Sequence, residues 1–151
     1  MNSKLEIYKK IGVGNIKFGM TSDQVADLIG LSDDYDIDES NSERREYRRD
    51  NGFQAVYSAR TKKLVEMGFS SNILELSFND IYVFSKPEAD VVKQLIIIDQ
   101  NPYILFGFIV LNKLGLTLTG FHDGNKNQKA VTVFSEGRWD SMKTFFKPFS
   151  L

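Results

Sequence analysis

The sequence contains no cysteine and only one histidine, His122. Structural disulfides, thiolate nucleophiles and sulfur-ligated zinc are thereby excluded. Neither an imidazole pair for a metal nor a triad that needs a second histidine can be assembled. Long apolar runs are missing as well. The stretches Leu95–Ile98 and Ile104–Leu111 fall far short of the roughly 20 residues that span a bilayer as a helix, so no membrane partner is expected. The segment from Met1 to Lys10 mixes charges with isolated apolar residues and has no apolar core of signal-peptide length, which predicts a cytoplasmic protein. A net charge of −1 offers no global attraction for nucleic acid, which needs clustered Lys and Arg. Gly12, Gly14 and Gly19 have neither dinucleotide spacing nor a Gly-Lys-Ser/Thr sequence, so no nucleotide cofactor is expected, nor any other. An enzyme would have to run on carboxylates alone. Glu66 and Asp123, beside His122, are the candidates, and nothing separates them from ordinary acids. The absences together predict a protein without catalytic activity that acts by binding.

Hydrophobic residues make up 42% of the 151 residues and aromatics 13%, weighted toward twelve Phe and six Tyr, which suits the sheet-rich core of one domain. One order of signals occurs twice. Thr21-Ser-Asp-Gln24 and Ser85-Lys-Pro-Glu88 both have the capping-box form, with Met20 and Phe84 placed as hydrophobic staples. The first predicted helix runs from Ser22 to Ile29, with an apolar stripe of Val25, Leu28 and Ile29 and Gly30 to end it. The second carries Val91, Val92, Leu95, Ile96 and Ile98, must stop before Asn101-Pro102, and is the more buried of the two.

A meander follows each helix. The first comprises 43–49, a turn at Asp50-Asn-Gly52, 53–58 and 64–69. The second comprises 106–111, a turn at 112–115, 116–121, a loop at 123–128, and 130–134. Thr21 and Ser85, Gly52 and Gly115, and Phe69 and Phe134 recur at nearly the same offset. The predicted architecture is α+β: two tandem units (12–70 and 85–135), a linker or strand at 71–84 and a C-terminal segment at 136–151. The units join into one antiparallel sheet with both helices on one face. Phe53, Ala55, Tyr57, Leu116, Leu118, Val131 and Val133 should face the helices, and Gln54, Ser58, Thr117, Thr119 and Thr132 the open side. Trp139 could anchor a partner but more often closes a core in such a position, and Met142, Phe145 and Phe146 suggest a short helix or turn covering one end of the sheet.

The residues Gly14-Asn-Ile-Lys-Phe-Gly-Met-Thr-Ser-Asp-Gln-Val-Ala-Asp-Leu-Ile-Gly30 resemble the opening of many small bacterial immunity proteins. Those proteins are similar in layout to the β-lactamase inhibitor protein, with two helix-plus-meander repeats forming a curved sheet. Many protect a cell from neighbours' toxins, including contact-dependent inhibition toxins. The resemblance is specific over residues 12–30 and a matter of layout elsewhere. It implies a cognate protein toxin as partner. Physically the motif needs only Phe18 and Met20 packed under the helix, close backbone approach at Gly19, and Thr21 as cap.

Six acids without a base lie between residues 33 and 43: Asp33, Asp34, Asp36, Asp38, Glu39 and Glu43. Arg44, Arg45, Arg48 and Arg49 follow. One reading is a solvated loop leading into an edge strand whose charges discourage aggregation. The other is an acidic loop that imitates a polyanion and docks on a basic partner such as a nuclease toxin. Asp33, Asp34, Asp36, Asp38 and Glu39 would supply charge, Tyr35 and Ile37 apolar contact, and Arg48 a flanking contact. A small-molecule-binding or general protein-interaction module on the open sheet face is the alternative, and the small-molecule module should display a deep apolar pocket.

Overall fold

The computed structural model describes residues 5–124 and 128–150. Thr21 opens α1 (Ser22–Ile29) with both halves of the expected box: the Gln24 N–H donates to Thr21 Oγ1 at 3.3 Å, and the Thr21 N–H donates to Gln24 Oε1 at 2.9 Å. Val25 is the buried residue of this helix, whereas Leu28 is exposed and Ile29 only partly covered, so the apolar stripe is narrower than expected. Gly19 departs from its expected role too. A Cβ there would meet nothing within 4 Å, but φ is +94°, a value that L side chains rarely adopt. The glycine thus serves a bend that lets its N–H donate to Leu64 O while Met20 O accepts from Leu64 N–H.

The second cap differs. α2 (Glu88–Asp99) starts after Pro87 without a side-chain cap. Ser85 Oγ donates instead to Leu74 O at 3.2 Å, and Glu88 pairs with Lys129 at 3.2 Å. The expected box at Ser85 is therefore absent, because both of its side chains have tertiary partners. Val91, Val92, Leu95 and Asp99 are buried, making α2 the more enclosed helix, although Ile97 and Ile98 are exposed.

Among the described residues the main sheet contains nine strands: β4 (Asp34–Asp38), β5 (Glu43–Arg48), β6 (Phe53–Ser58), β7 (Leu64–Ser70), β10 (Tyr103–Leu105), β11 (Phe108–Leu111), β12 (Leu116–Thr119), β13 (Ala130–Phe134) and β14 (Lys147–Pro148). Their order is β14-β10-β11-β12-β13-β7-β6-β5-β4. The two meanders join edge to edge where β13 pairs antiparallel with β7, Val131 opposite Phe69 and Val133 opposite Met67. The strand expected over 106–111 is interrupted by a turn at Phe106-Gly107, both at positive φ, which separates β10 from β11. Gly52 closes the β5–β6 turn at φ +65°, and a Cβ on it would collide with Ser70 Oγ.

A second sheet was not anticipated. It comprises β1 (Leu5–Tyr8), β2 (Gly12–Val13), β3 (Ile16–Lys17), β8 (Leu76–Phe78) and β9 (Ile81–Tyr82), in the order β3-β2-β1-β8-β9, with β1 parallel to β8. Part of the 71–84 segment thus joins this sheet, and the described residues form two sheets rather than one.

Leu5, Ile7, Val13, Ile16, Leu76 and Phe78 of the small sheet share one core with Val25, Val91, Val92 and Leu95 of the helices. The inner face of the main sheet meets them with Phe53, Ala55, Tyr57, Leu116, Leu118, Val131 and Val133, all buried as the alternation predicted. A separate cluster lies on the other face, where Leu105, Val110 and Phe134 are covered by Trp139, Met142 and Phe146. The covering segment is a 3-10 helix at Asp140–Phe145 followed by β14. It shields half of the face expected to be open, and Thr117 is accordingly buried. Trp139 closes this cluster edge-on to Phe134, with centroids 6.1 Å apart.

Candidate protein-binding edge

The acidic stretch is a strand rather than a loop. β4 pairs antiparallel with β5 over Asp34–Tyr47, Tyr35–Glu46, Asp36–Arg45, Ile37–Arg44 and Asp38–Glu43. It is the terminal strand of the sheet, and all five of its residues are exposed. Strand alternation puts Asp34, Asp36 and Asp38 on the outer face and Tyr35 and Ile37 on the inner one. The period-two pattern Asp-Tyr-Asp-Ile-Asp was the available signal, masked by its charge.

Several of these acids have local partners. Asp33 accepts from the Arg49 N–H at 2.7 Å, and Asp34 from the Tyr35 N–H at 2.8 Å and the Arg49 guanidinium at 3.4 Å. The Asp36 carboxylate accepts from Tyr47 OH at 2.7 Å, a bond that raises the pKa of that phenol. Asp38 organises the hairpin turn. Hydrogen bonds from the Ser40 hydroxyl, then from the Asn41 side chain and backbone, hold its carboxyl below the ordinary range. Tyr35 and Ile37 each remain 52% exposed, and the Arg44 guanidinium lies 3.9 Å from the Tyr35 ring centroid. Glu39 is exposed.

Arg48 is not beside this patch. It is 3% exposed, and its Nε and Nη2 donate to Gly30 O at 3.1 and 2.8 Å, tying the end of α1 to β5. Its place on the inner face follows from β5 alternation, which also buries Glu46, the acceptor for Ser22 Oγ at 2.7 Å and Arg44 Nε at 2.8 Å. Arg48 is therefore an anchor of the scaffold, and the exposed surface consists of Asp33, Asp34, Tyr35, Asp36, Asp38 and Glu39 with Ile37.

The chain matches no known protein family, no curated protein and no solved structure.

Among the described residues, Tyr47, Gln54 and Thr132 keep part of the outer face between β4 and β13 open to solvent. A register row crosses it from Asp34 through Tyr47, Gln54 and Gly68 to Thr132. A hollow of about 320 Å³ there is lined in part by Tyr47, Arg49, Gln54, Gly68, Ser70 and Thr132. Toward the covered half, Arg138 reaches down to the sheet, donating to Glu66 at 3.1 Å and to Glu43. Glu66 is thus an ion-pair member. His122 is exposed and lies edge-on to Phe149, and the 123–128 loop extends partly outside the described residues. Among the described residues no group of three or more His, Asp or Glu is disposed to hold a metal, and no helix is long and apolar enough to cross a membrane.

Proposed function

We propose that this protein is a cytoplasmic immunity protein that binds a cognate bacterial toxin domain, a nuclease, and blocks its active site or substrate groove. It acts by binding and performs no chemistry of its own. The observation that carries this reading is β4: an edge strand exposed along its length, with three carboxylates on one side and Tyr35 and Ile37 on the other. The resemblance of Gly14–Gly30 to immunity proteins supports it.

A nuclease must present Lys and Arg to hold phosphates, so its groove carries the charge complementary to β4 and its flanking Asp33 and Glu39. Opposite charge also steers encounter and raises association rates above those of neutral partners. Arg45 and Arg49 neutralise part of the outer face, which limits nonspecific attraction of other basic surfaces.

Co-expression with the product of the gene immediately upstream tests the function. That product should kill cells when expressed alone and spare them when this protein is present. Absence of toxicity, or toxicity that this protein does not relieve, overturns the reading.

A further inference from the structure

We propose that β4 receives a strand of that basic partner along its unpaired edge, and that the incoming strand alternates Lys or Arg with apolar residues. This rests on the immunity reading and specifies the chemistry of the partner at the site.

The backbone makes the first argument. Among the described residues β4 pairs on one side alone, with β5. The Tyr35 N–H donates to the Asp34 carboxylate. It is therefore turned away from β5, and the two-residue strand period puts the Ile37 N–H on the same free side. A strand added there would exchange hydrogen bonds with the Tyr35 and Ile37 peptide groups. The Asp34 carboxylate, now bonded to the Tyr35 N–H, would be released toward a cation.

Side chains decide the occupant. An added strand continues the pleat, so its residues alternate between the outer row of Asp34, Asp36 and Asp38 and the inner row of Tyr35 and Ile37. A second copy of β4 would set these acids against their own kind, and like charges across a strand pair are destabilising. A polyanion is repelled for the same reason. A strand with cations in one row and apolar side chains in the other satisfies both rows, covering the exposed halves of Tyr35 and Ile37 as well as the carboxylates. Glu39 and Asp33 at the strand ends extend the negative field past the pairing region.

The test uses two capped peptides of identical lysine and valine content, one alternating and one with the two residue types in separate blocks. Strand addition predicts that the alternating peptide binds about tenfold more tightly, a difference within reach of a few matched cross-strand side-chain pairs. It also predicts slowed hydrogen exchange at the Tyr35 and Ile37 amides. Ile37→Pro, which removes one edge donor, should abolish the preference. Ile37→Lys, which keeps the backbone, should weaken the alternating peptide by setting a charge against its apolar row, and serves if the proline variant does not fold. Equal affinity of the two peptides, or unchanged exchange at both amides, overturns the proposal. Rescue in co-expression combined with that result would leave the immunity reading standing with another docking mode. Failed rescue with selective peptide binding would retain the edge site and reject the toxin.

Discussion

Replacing Arg138 by Met keeps much of the side-chain stem and deletes the guanidinium that fastens the C-terminal segment to the sheet. Arg138, Glu43 and Glu66 have side-chain exposures of 19%, 14% and 10%, so the cluster is largely withdrawn from water. Burial pulls the arginine pKa down, but the hydrogen bond to Glu43 and the charges of Glu66 and Glu43 outweigh it and hold the group above its ordinary value. Removing one partner of a buried pair costs about 3–5 kcal/mol, because the remaining charge loses its compensation. Residual exposure and the Arg45 guanidinium, 4.0 Å from Glu66, reduce this to about 2–4 kcal/mol. With a urea dependence of about 2 kcal/mol per molar, the middle of the usual range, the unfolding midpoint should fall by about 1–2 M. Adding Glu43→Gln and Glu66→Gln to Arg138→Met should recover more than half of the loss, since the triple variant leaves neither of these carboxylates stranded without its cation. A single-variant loss below about 0.5 kcal/mol, the range of ordinary surface changes, would refute the role given to this cluster.

Burial, reinforced by the Glu46 carboxylate, raises the Tyr57 hydroxyl to about 12. The unfolded chain ionises near its ordinary value of about 10, so the contribution of this hydroxyl to stability is level below that pH and is lost as pH rises from there toward 12, by up to about 2 kcal/mol. Denaturation curves across this window should show that slope, and Tyr57→Phe should make it shallower, leaving the part owed to the raised Tyr47 phenol. Thr21→Ala should lower stability by about 0.5–2 kcal/mol in thermal unfolding, since it removes a working cap, whereas Ser85→Ala should cost less because no helix N–H depends on it. Equal losses at the two positions would contradict the asymmetry of the helix starts.

Local signals read well in this chain and distant ones poorly. The Thr21 box, the end of α1 at Ile29, the span of β6 and the buried alternation of Leu116, Leu118, Val131 and Val133 are all decided within a few residues. Ser85-Lys-Pro-Glu88 carries the same letters as a box, but Leu74 and Lys129 claim its side chains from elsewhere. Strands of two to four residues, such as β1, β2 and β3, are too short to show a period, and the parallel β1–β8 pairing joins segments far apart in sequence. Arg48 looked like a surface charge because its acceptor, Gly30 O, lies 18 residues away. At the candidate site, the sequence located the acids and Tyr35 but not the strand that displays them. Charge argued for a loop, and only pairing with β5 fixes the segment as an edge.

The most direct test of β4 as the binding surface is the association rate with the purified toxin domain, followed by stopped flow across a series of salt concentrations. The comparison is between the natural protein and a variant carrying Asp33→Asn, Asp34→Asn, Asp36→Asn, Asp38→Asn and Glu39→Gln. The fold should persist in the variant, because Asn and Gln keep an acceptor oxygen for the hairpin hydrogen bonds and the exposed charges themselves contribute little to stability. The natural protein should associate about tenfold or more faster at low salt and lose that advantage as salt screens the field, while the variant should respond weakly. Identical rates and identical salt dependence would contradict the account and move the interface to the uncovered outer face around Gln54 and Thr132.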